Sequence, residues 1–390
     1  MFKIKTLNKI ANCGLELLPE DKYEVSTEIT NPDAILVRSA NLLEMELPGN
    51  LKAIARAGAG VNNIPIDKCS EKGIVVFNTP GANSNGVKEL VIASLLLSSR
   101  KITKGIEWVQ TLKGKGEEVT KLIEKGKSQF EGPEIKGKKI GVIGLGAIGV
   151  MVANDAVSLG MEVMGYDPYI SVKAAWGLSS SVMRATNLDH LLSSCDYITM
   201  HMPLNSETKH MFNKEKFDIM KKGIRIINLA RGGLVSNKDL MEAIESGIVS
   251  CYVTDFPDDE ILGVDGIIAI PHLGASTPES EENCAIMAVN QMKAYLETGM
   301  IRNSINFPDC DMLPTDKTRI ITVHCNIPNM IGQMTTILAA YKINISDMLT
   351  RHRESIGYNV IDIEGDLTDE VIEKIRSIEG VKTVRVVTPD

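Results

Sequence analysis

Apolar residues in the first hundred positions come in short unbroken runs rather than in alternation. Ala34-Ile35-Leu36-Val37, Ala53-Ile54-Ala55 and Ile74-Val75-Val76-Phe77 have the pattern of strands covered on both faces of a parallel sheet. Residues 89–109 begin strongly apolar and become amphipathic, which predicts one long helix. Residues 110–138, rich in Lys, Glu and Gly, predict a solvated connection with a helical turn or two. From Lys139 the alternation resumes, with a strand at 139–143, a helix from Ala147, and strands at 161–166, 196–200, 224–228, 251–254 and 267–270. Repeated strand–helix units of this length predict a doubly wound parallel sheet. After Phe307-Pro308-Asp309 a polar linker leads to a last segment. It is patterned as strand 319–325, helix 331–341, strand 345–353, strand 358–364, helix 368–378 and strand 381–387. That βαββαβ order is ferredoxin-like.

Composition adds bounds rather than detail. At 390 residues the chain is long for one core and suggests two or three domains. A formal charge of −8 argues against nucleic acid as a main partner. The seven cysteines are scattered without a CxxC pair, as expected for free thiols in a reducing cytoplasm. No apolar leader and no stretch of membrane-spanning length is present, so neither a signal peptide nor a membrane partner is expected.

The strongest motif is Gly144-Leu145-Gly146-Ala147-Ile148-Gly149, set between an apolar strand and a helix. Gly144 permits the tight turn, Gly146 lets backbone approach a pyrophosphate, and Gly149 packs helix on strand. The helix N-terminus at Ala147 and Ile148 then offers N–H groups to phosphate. Asp167 closes the next strand, where an acid accepts from ribose hydroxyls and repels a 2′-phosphate. NAD is therefore the expected cofactor.

Three further segments start where apolar strands stop: His201-Met202-Pro203 with Thr208, Leu229-Ala230-Arg231, and Pro271-His272-Leu273-Gly274. An Arg beyond a buried strand offers a bidentate fork for a carboxylate. A His at another strand end serves as general base toward a hydroxyl. Each has a plainer reading alone, as a helix cap or a structural ion pair. Their joint occurrence downstream of the nucleotide turn favours a site.

Together, GLGAIG, HMPLNSET, NLARGG and PHLGAST make residues 1–305 resemble the D-2-hydroxyacid dehydrogenase family. The resemblance implies an NAD-binding Rossmann domain at 99–274, inserted in a flavodoxin-like substrate domain built from 1–98 and 275–312. It implies Arg231 as carboxylate ligand, His272 as acid/base, and an acid that orients His272. It also places His201, Pro203, Thr208, Leu229, Ala230, Asp255, His272 and Gly274 along the cofactor, with Asp255 approaching the nicotinamide amide. Within Thr254-Asp255-Phe256-Pro257-Asp258-Asp259-Glu260, counting without a gap from Arg231 makes Glu260 the orienting acid. Aligning on Phe256-Pro257 makes it Asp259; the longer reach of Glu favours Glu260.

Within the family the resemblance is greatest to members acting on D-3-phosphoglycerate, a phosphorylated 2-hydroxy acid. It places Arg38, Ser39, Arg56, Ala57 and Gly58 near substrate. Lys88 stands where the family usually has Ala; it would either reach substrate or pair with a neighbouring acid. Residues 319–390 resemble an ACT domain, with His324, Asn326 and Asn344 at serine-contact positions. Such modules pair across subunits, so a homodimer or homotetramer with L-serine as effector is implied. The competing expectations are a glyoxylate, hydroxypyruvate or lactate reductase with the same chemistry, and an NAD-sensing corepressor on this fold.

Overall fold

The buried runs form strands as expected. β1 (Phe2–Leu7), β2 (Tyr23–Ser26), β3 (Ala34–Val37), β4 (Ala53–Arg56) and β5 (Val75–Phe77) make a wholly parallel sheet of order β2-β1-β3-β4-β5. The structure is a computed structural model, and it describes residues 1–388. Alternate positions face two cores. Ala34, Leu36, Ala53 and Ala55 pack with Ala285, Ala288, Val289 and Met292 of the Pro278–Thr298 helix. Ile35, Val37, Ile54 and Val76 meet Cys69 and Leu51 on the other face. Strands covered on both sides explain the unbroken apolar runs. The order reverses between β1 and β3, the switch point at which such sheets gather ligands.

The second sheet contains β6 (Lys139–Ile143), β7 (Glu162–Tyr166), β8 (Met183–Arg184), β9 (Tyr197–Met200), β10 (Ile224–Asn228), β11 (Val249–Thr254) and β12 (Ile267–Ala269). All are parallel, in the order β12-β11-β10-β9-β6-β7-β8. This is a Rossmann sheet with its switch point between β6 and β9.

The chain divides into two compact units, 1–82 with 281–390, and 83–280. The divisions differ from the expected 98/99 and 274/275. Val87, Val91 and Leu95 of the Ser84–Ser99 helix share a core with Ile140, Val142, Val152 and Ala156, so that helix belongs to the nucleotide unit. The single helix expected over 89–109 is two, Ser84–Ser99 and Ile102–Gln110, because Arg100 between them is extended (φ −115, ψ 128).

β13 (Thr318–Cys325), β14 (Asn344–Arg353), β15 (Ile356–Glu364) and β16 (Val381–Val387) form an antiparallel sheet, order β14-β15-β13-β16, with the Met330–Ala340 and Asp369–Arg376 helices between them in sequence. This is the ferredoxin-like arrangement. Ile320, Ile361 and Ile363 pack with Met334, Leu338 and Val371 of the two helices. The other face is also buried: Ile321, Val323, Tyr358 and Val360 join Leu296, Ile301 and Phe307 in the core of the first unit. The segment is thus not a freestanding domain but is docked on the Pro278–Thr298 helix. Arg319, paired with Asp362 through Nε at 2.6 Å and Nη2 at 2.9 Å, also donates to the carbonyls of Thr298 and Leu313. Arg385 donates to those of Tyr295 and Leu296, and the Tyr358 hydroxyl to that of Gly299. The Leu296 and Thr298 carbonyls in the helix's last turn thereby gain donors from another element. Among the described residues no helix is long and apolar enough to cross a membrane.

Candidate active site

Around the nucleotide turn, Gly144 has φ +88, and a Cβ there would meet the His201 carbonyl oxygen at 2.7 Å. At Gly149 a Cβ would lie 1.9 Å from the Gly144 oxygen, so helix and turn touch backbone to backbone. A Cβ on Gly146 would meet nothing within 4 Å. That open space beside the N-terminus of the Ala147–Ser158 helix is what a pyrophosphate needs. The Asp167 carboxylate accepts from the N–H groups of Leu145 and Tyr169, both at 2.8 Å, which fixes it at the end of β7. His201 follows β9 with its Nε2 3.0 Å from the Thr199 hydroxyl, and burial pushes its imidazolium down to about 4. It is neutral at physiological pH and fills the floor of the turn. The loop beyond it is fixed by Thr208, whose hydroxyl donates to the Pro203 carbonyl at 2.7 Å.

Arg231, Asp255 and His272 stand at the carboxyl ends of β10, β11 and β12, three neighbouring strands. Asn228, buried at the end of β10, accepts from the N–H groups of Ala230 and Arg231 and donates to the Arg231 carbonyl and the Tyr252 hydroxyl. It sets the Leu229–Arg231 turn and leaves Arg231 exposed, with Nη1 resting on the Ala230 carbonyl. Asp255 is 2% exposed, and its Oδ1 has no hydrogen-bond partner. Burial pushes its carboxyl above the usual range, while the charges of His272 and Arg231 pull the other way. An orphaned buried acceptor calls for a donor, and a nicotinamide carboxamide supplies one. Gly274 is buried, and a Cβ there would press on Val87 at 3.2 Å.

The orienting acid differs from expectation. Glu260 is exposed and accepts from Asn237 Nδ2 at 3.1 Å, alongside Asp258 at 2.7 Å, and the Asp258 carboxylate in turn accepts the Glu260 N–H. Among the described residues neither Glu260 nor Asp259 hydrogen-bonds His272. The imidazole instead lies against the Phe256 ring, centroids 4.6 Å apart at 59°. The acidic turn is held by Asn237, and the carboxylate whose field reaches His272 is Asp255.

Lys88 also departs from expectation as a substrate contact. Its ammonium is 2.9 Å from Asp155, and the pair ties the Ser84–Ser99 and Ala147–Ser158 helices together. In the first unit, Asn8 ends β1 with φ +70 and accepts from the N–H groups of Ser39 and Ala40, pinning the loop after β3 to the switch point. Arg38 on that loop pairs with Glu281 at 2.6 Å, and both side chains are partly exposed. Arg56 donates from Nε to the Arg38 carbonyl at 2.9 Å and from Nη1 to the Gly60 carbonyl, so most of its guanidinium braces the loop. Ala57 is buried and its N–H donates to the Val37 carbonyl, and Gly58 lies against the Arg56 guanidinium.

One chain does not gather the three effector positions. His324 pairs with Gly357 and is buried, with Nδ1 on the Cys325 carbonyl and Nε2 unpartnered. Asn326 donates to the Glu354 carbonyl near the same end of the sheet. Asn344 pairs with Glu364 at the opposite end of β15, roughly 23 Å along a strand.

Sequence reasoning missed Asn8, Asn228, Asn237 and Glu281. For the first two a signal existed, since each is a polar residue closing an apolar strand beside a functional loop.

Several known proteins are similar to this chain in sequence or fold. Residues 92–274 match the family model of the D-isomer specific 2-hydroxyacid dehydrogenase NAD binding domain. The D-3-phosphoglycerate dehydrogenase of Haemophilus influenzae is 30% identical over 381 residues, covering 94% of this chain and 89% of that protein. The hydroxypyruvate reductase of Thermotoga maritima is 36% identical over 292 residues, covering 72% and 89%. The NAD+-bound 3-phosphoglycerate dehydrogenase structure from Entamoeba histolytica superposes with a TM-score of 0.60 at 25% identity, covering 78% of this chain and 98% of its own. The chain spans 55% to 64% of the length of four further curated relatives, all D-3-phosphoglycerate dehydrogenases by name.

Proposed function

Since the chain belongs to the D-isomer specific 2-hydroxyacid dehydrogenase family, we propose that it oxidises D-3-phosphoglycerate to 3-phosphohydroxypyruvate with NAD, opening L-serine synthesis. The observation that carries this reading is the row of Arg231, Asp255 and His272 on three adjacent strand ends, in a sheet whose switch point carries the glycine turn. Gly144, Gly146, Ala147, Ile148 and Asp167 would hold the cofactor's phosphates and ribose, and Asp255 its carboxamide. NAD bound there supplies the hydride acceptor. Arg231 binds the substrate carboxylate through its exposed guanidinium and stabilises charge developing on the C2 oxygen. His272 removes the hydroxyl proton, with Asp255 on the neighbouring strand end.

The substrate phosphate is assigned to Arg38, whose partly exposed pair with Glu281 can exchange for a stronger anion. Arg56 contributes mainly by bracing the loop that carries Arg38. The seven unpaired cysteines, most of them buried, suit a cytoplasmic setting. Exposed Ile102, Ile106 and Val109 on one short helix suit association with a second subunit. L-serine is the proposed effector: His324 and Asn326 of one chain would act with Asn344 of another, brought together along the edge strand β14. A calorimetric titration with L-serine giving neither heat nor inhibition removes the effector claim.

A second reading, hydroxypyruvate or glyoxylate reduction, is favoured by the 36% identity to the Thermotoga maritima enzyme. An absorbance assay for NADH with 3-phosphoglycerate, 3-phosphohydroxypyruvate and hydroxypyruvate side by side separates the two. On the phosphorylated pair, His272→Ala is expected to lower kcat by about 10²- to 10⁴-fold. Wild-type turnover in either His272→Ala or Arg231→Ala would overturn the assignment of roles.

A further inference from the structure

A cavity of about 590 Å³ lies in the first unit, where the C-terminal sheet meets the end of the Pro278–Thr298 helix. Five cationic side chains line it, Lys22, Lys52, Lys317, Arg319 and Arg385, against the acids Asp21 and Glu297. Arg319 is ion-paired with Asp362, Lys52 with Asp33 and Lys317 with Glu364. Arg385 differs. Its guanidinium donates to the Tyr295 and Leu296 carbonyls, lies against the face of the Tyr295 ring, 4.5 Å from the centroid, and touches the Tyr358 hydroxyl. Its Nε is buried without a hydrogen-bond partner, and among the described residues no carboxylate pairs with it. Arg385 is half-buried, and a buried N–H normally has an acceptor. The helix end offers only about half a negative charge, which leaves the larger part of the guanidinium charge uncompensated inside a cavity.

We propose that this cavity binds a small anion bearing a carboxylate or phosphate group, countered by Arg385 and reached by Lys52 and Lys317. The ligand exchanges for the partly exposed pairs of those lysines, whose side chains are 31% and 36% accessible. Arg319, saturated by Asp362 and two carbonyls, takes no part. The site belongs to a different unit from the nucleotide turn and does not include His324 or Asn326; it adjoins Asn344, which shares the Glu364 carboxylate with Lys317. It contains residues of both the first sheet's surround and the C-terminal sheet, so an occupant would strengthen the docking of one on the other. The proposal does not depend on which 2-hydroxy acid the enzyme oxidises.

The test is titration calorimetry on the full chain saturated with NADH, at constant ionic strength. Citrate and inorganic phosphate serve as separate probes. The wild type is expected to bind one more equivalent of at least one probe than Arg385→Gln does, with unchanged NADH affinity in both. The tighter arm identifies carboxylate or phosphate as the preferred group. Lys317→Gln, on an exposed pair that folding does not require, is expected to bind that probe several-fold more weakly at the same stoichiometry. Identical isotherms for wild type and Arg385→Gln overturn the proposal. Should Arg385→Gln fail to fold, a Lys317→Gln isotherm equal to the wild type's overturns it instead.

Discussion

Asp362→Asn isolates what holds the C-terminal sheet in place. The Arg319 and Asp362 side chains are 2% and 5% exposed, joined by two hydrogen bonds of 2.6 and 2.9 Å. Asn keeps the shape but removes the charge, leaving a buried guanidinium compensated only by the Thr298 and Leu313 carbonyls. Breaking one side of a buried pair costs about 3–5 kcal/mol. Replacing both partners by apolar residues, as in Arg319→Met with Asp362→Leu, removes that uncompensated charge. What is lost is then two bonds to carbonyls, roughly 1 kcal/mol each. Global unfolding of a chain with two compact units is not a single transition, so the measurement should be local. Hydrogen exchange of residues 318–325 and 356–364 reads the opening of β13 and β15. At about 1.4 kcal/mol per tenfold, Asp362→Asn should speed exchange there by about 10²- to 10⁴-fold. The double variant should show a smaller effect than the single one. Exchange in Asp362→Asn within about threefold of wild type, or a double variant worse than the single, would refute the reasoning.

Other consequences concern the nucleotide unit. Lys88→Met should leave kcat/KM for 3-phosphoglycerate within about threefold while lowering stability by about 1 kcal/mol, because a partly exposed helix–helix pair is lost. A loss of activity far beyond that would return Lys88 to the substrate site. His201 is lowered from 6.5 to about 4 by burial, so the unfolded chain takes up a proton that the folded one resists. Stability from the neutral ring is complete above pH 6.5 and is lost as pH falls toward 4, by about 3 kcal/mol in all. His201→Gln should flatten that part of a Tm-against-pH curve, and an unchanged acid limb would contradict the burial argument. Asp255 is raised by burial, so its effect runs the other way. The folded state holds the proton more tightly, and stability falls as pH rises through its folded value. Asp255→Asn should therefore raise Tm at neutral pH, with the gain fading in acid, while NAD binding weakens. A Tm gain that persists in acid would show another cause.

Most strands of the three sheets were legible because they are buried on both faces and because glycines and short polar residues punctuate them, whereas the short, exposed β8 carries no such pattern. The same pattern misplaced the division between units, since the periodicity of the Ser84–Ser99 helix shows that it buries a face but not against which sheet. The docking of the C-terminal sheet was equally hidden. β13 reads as an apolar strand whether its second face meets a partner subunit or the chain's own helix. Motif spacing puts Arg231, Asp255 and His272 at strand ends, and the structure has them there. Spacing did not foresee the contacts of Glu260 or choose between the two readings of Lys88, because their positions permit several partners. Local competition decided the outcome there: Asn237 draws in two carboxylates of the acidic turn, and Asp155 draws in Lys88.

The central claim, NAD-dependent oxidation of a phosphorylated D-2-hydroxy acid, is tested most directly by kcat/KM with NAD for D-3-phosphoglycerate and for D-glycerate, wild type beside Arg38→Gln. The account predicts that the wild type prefers the phosphorylated acid by at least about tenfold, equivalent to about 1.4 kcal/mol of charge-assisted contact, and that Arg38→Gln loses most of that preference. Equal or better use of D-glycerate by the wild type would contradict it.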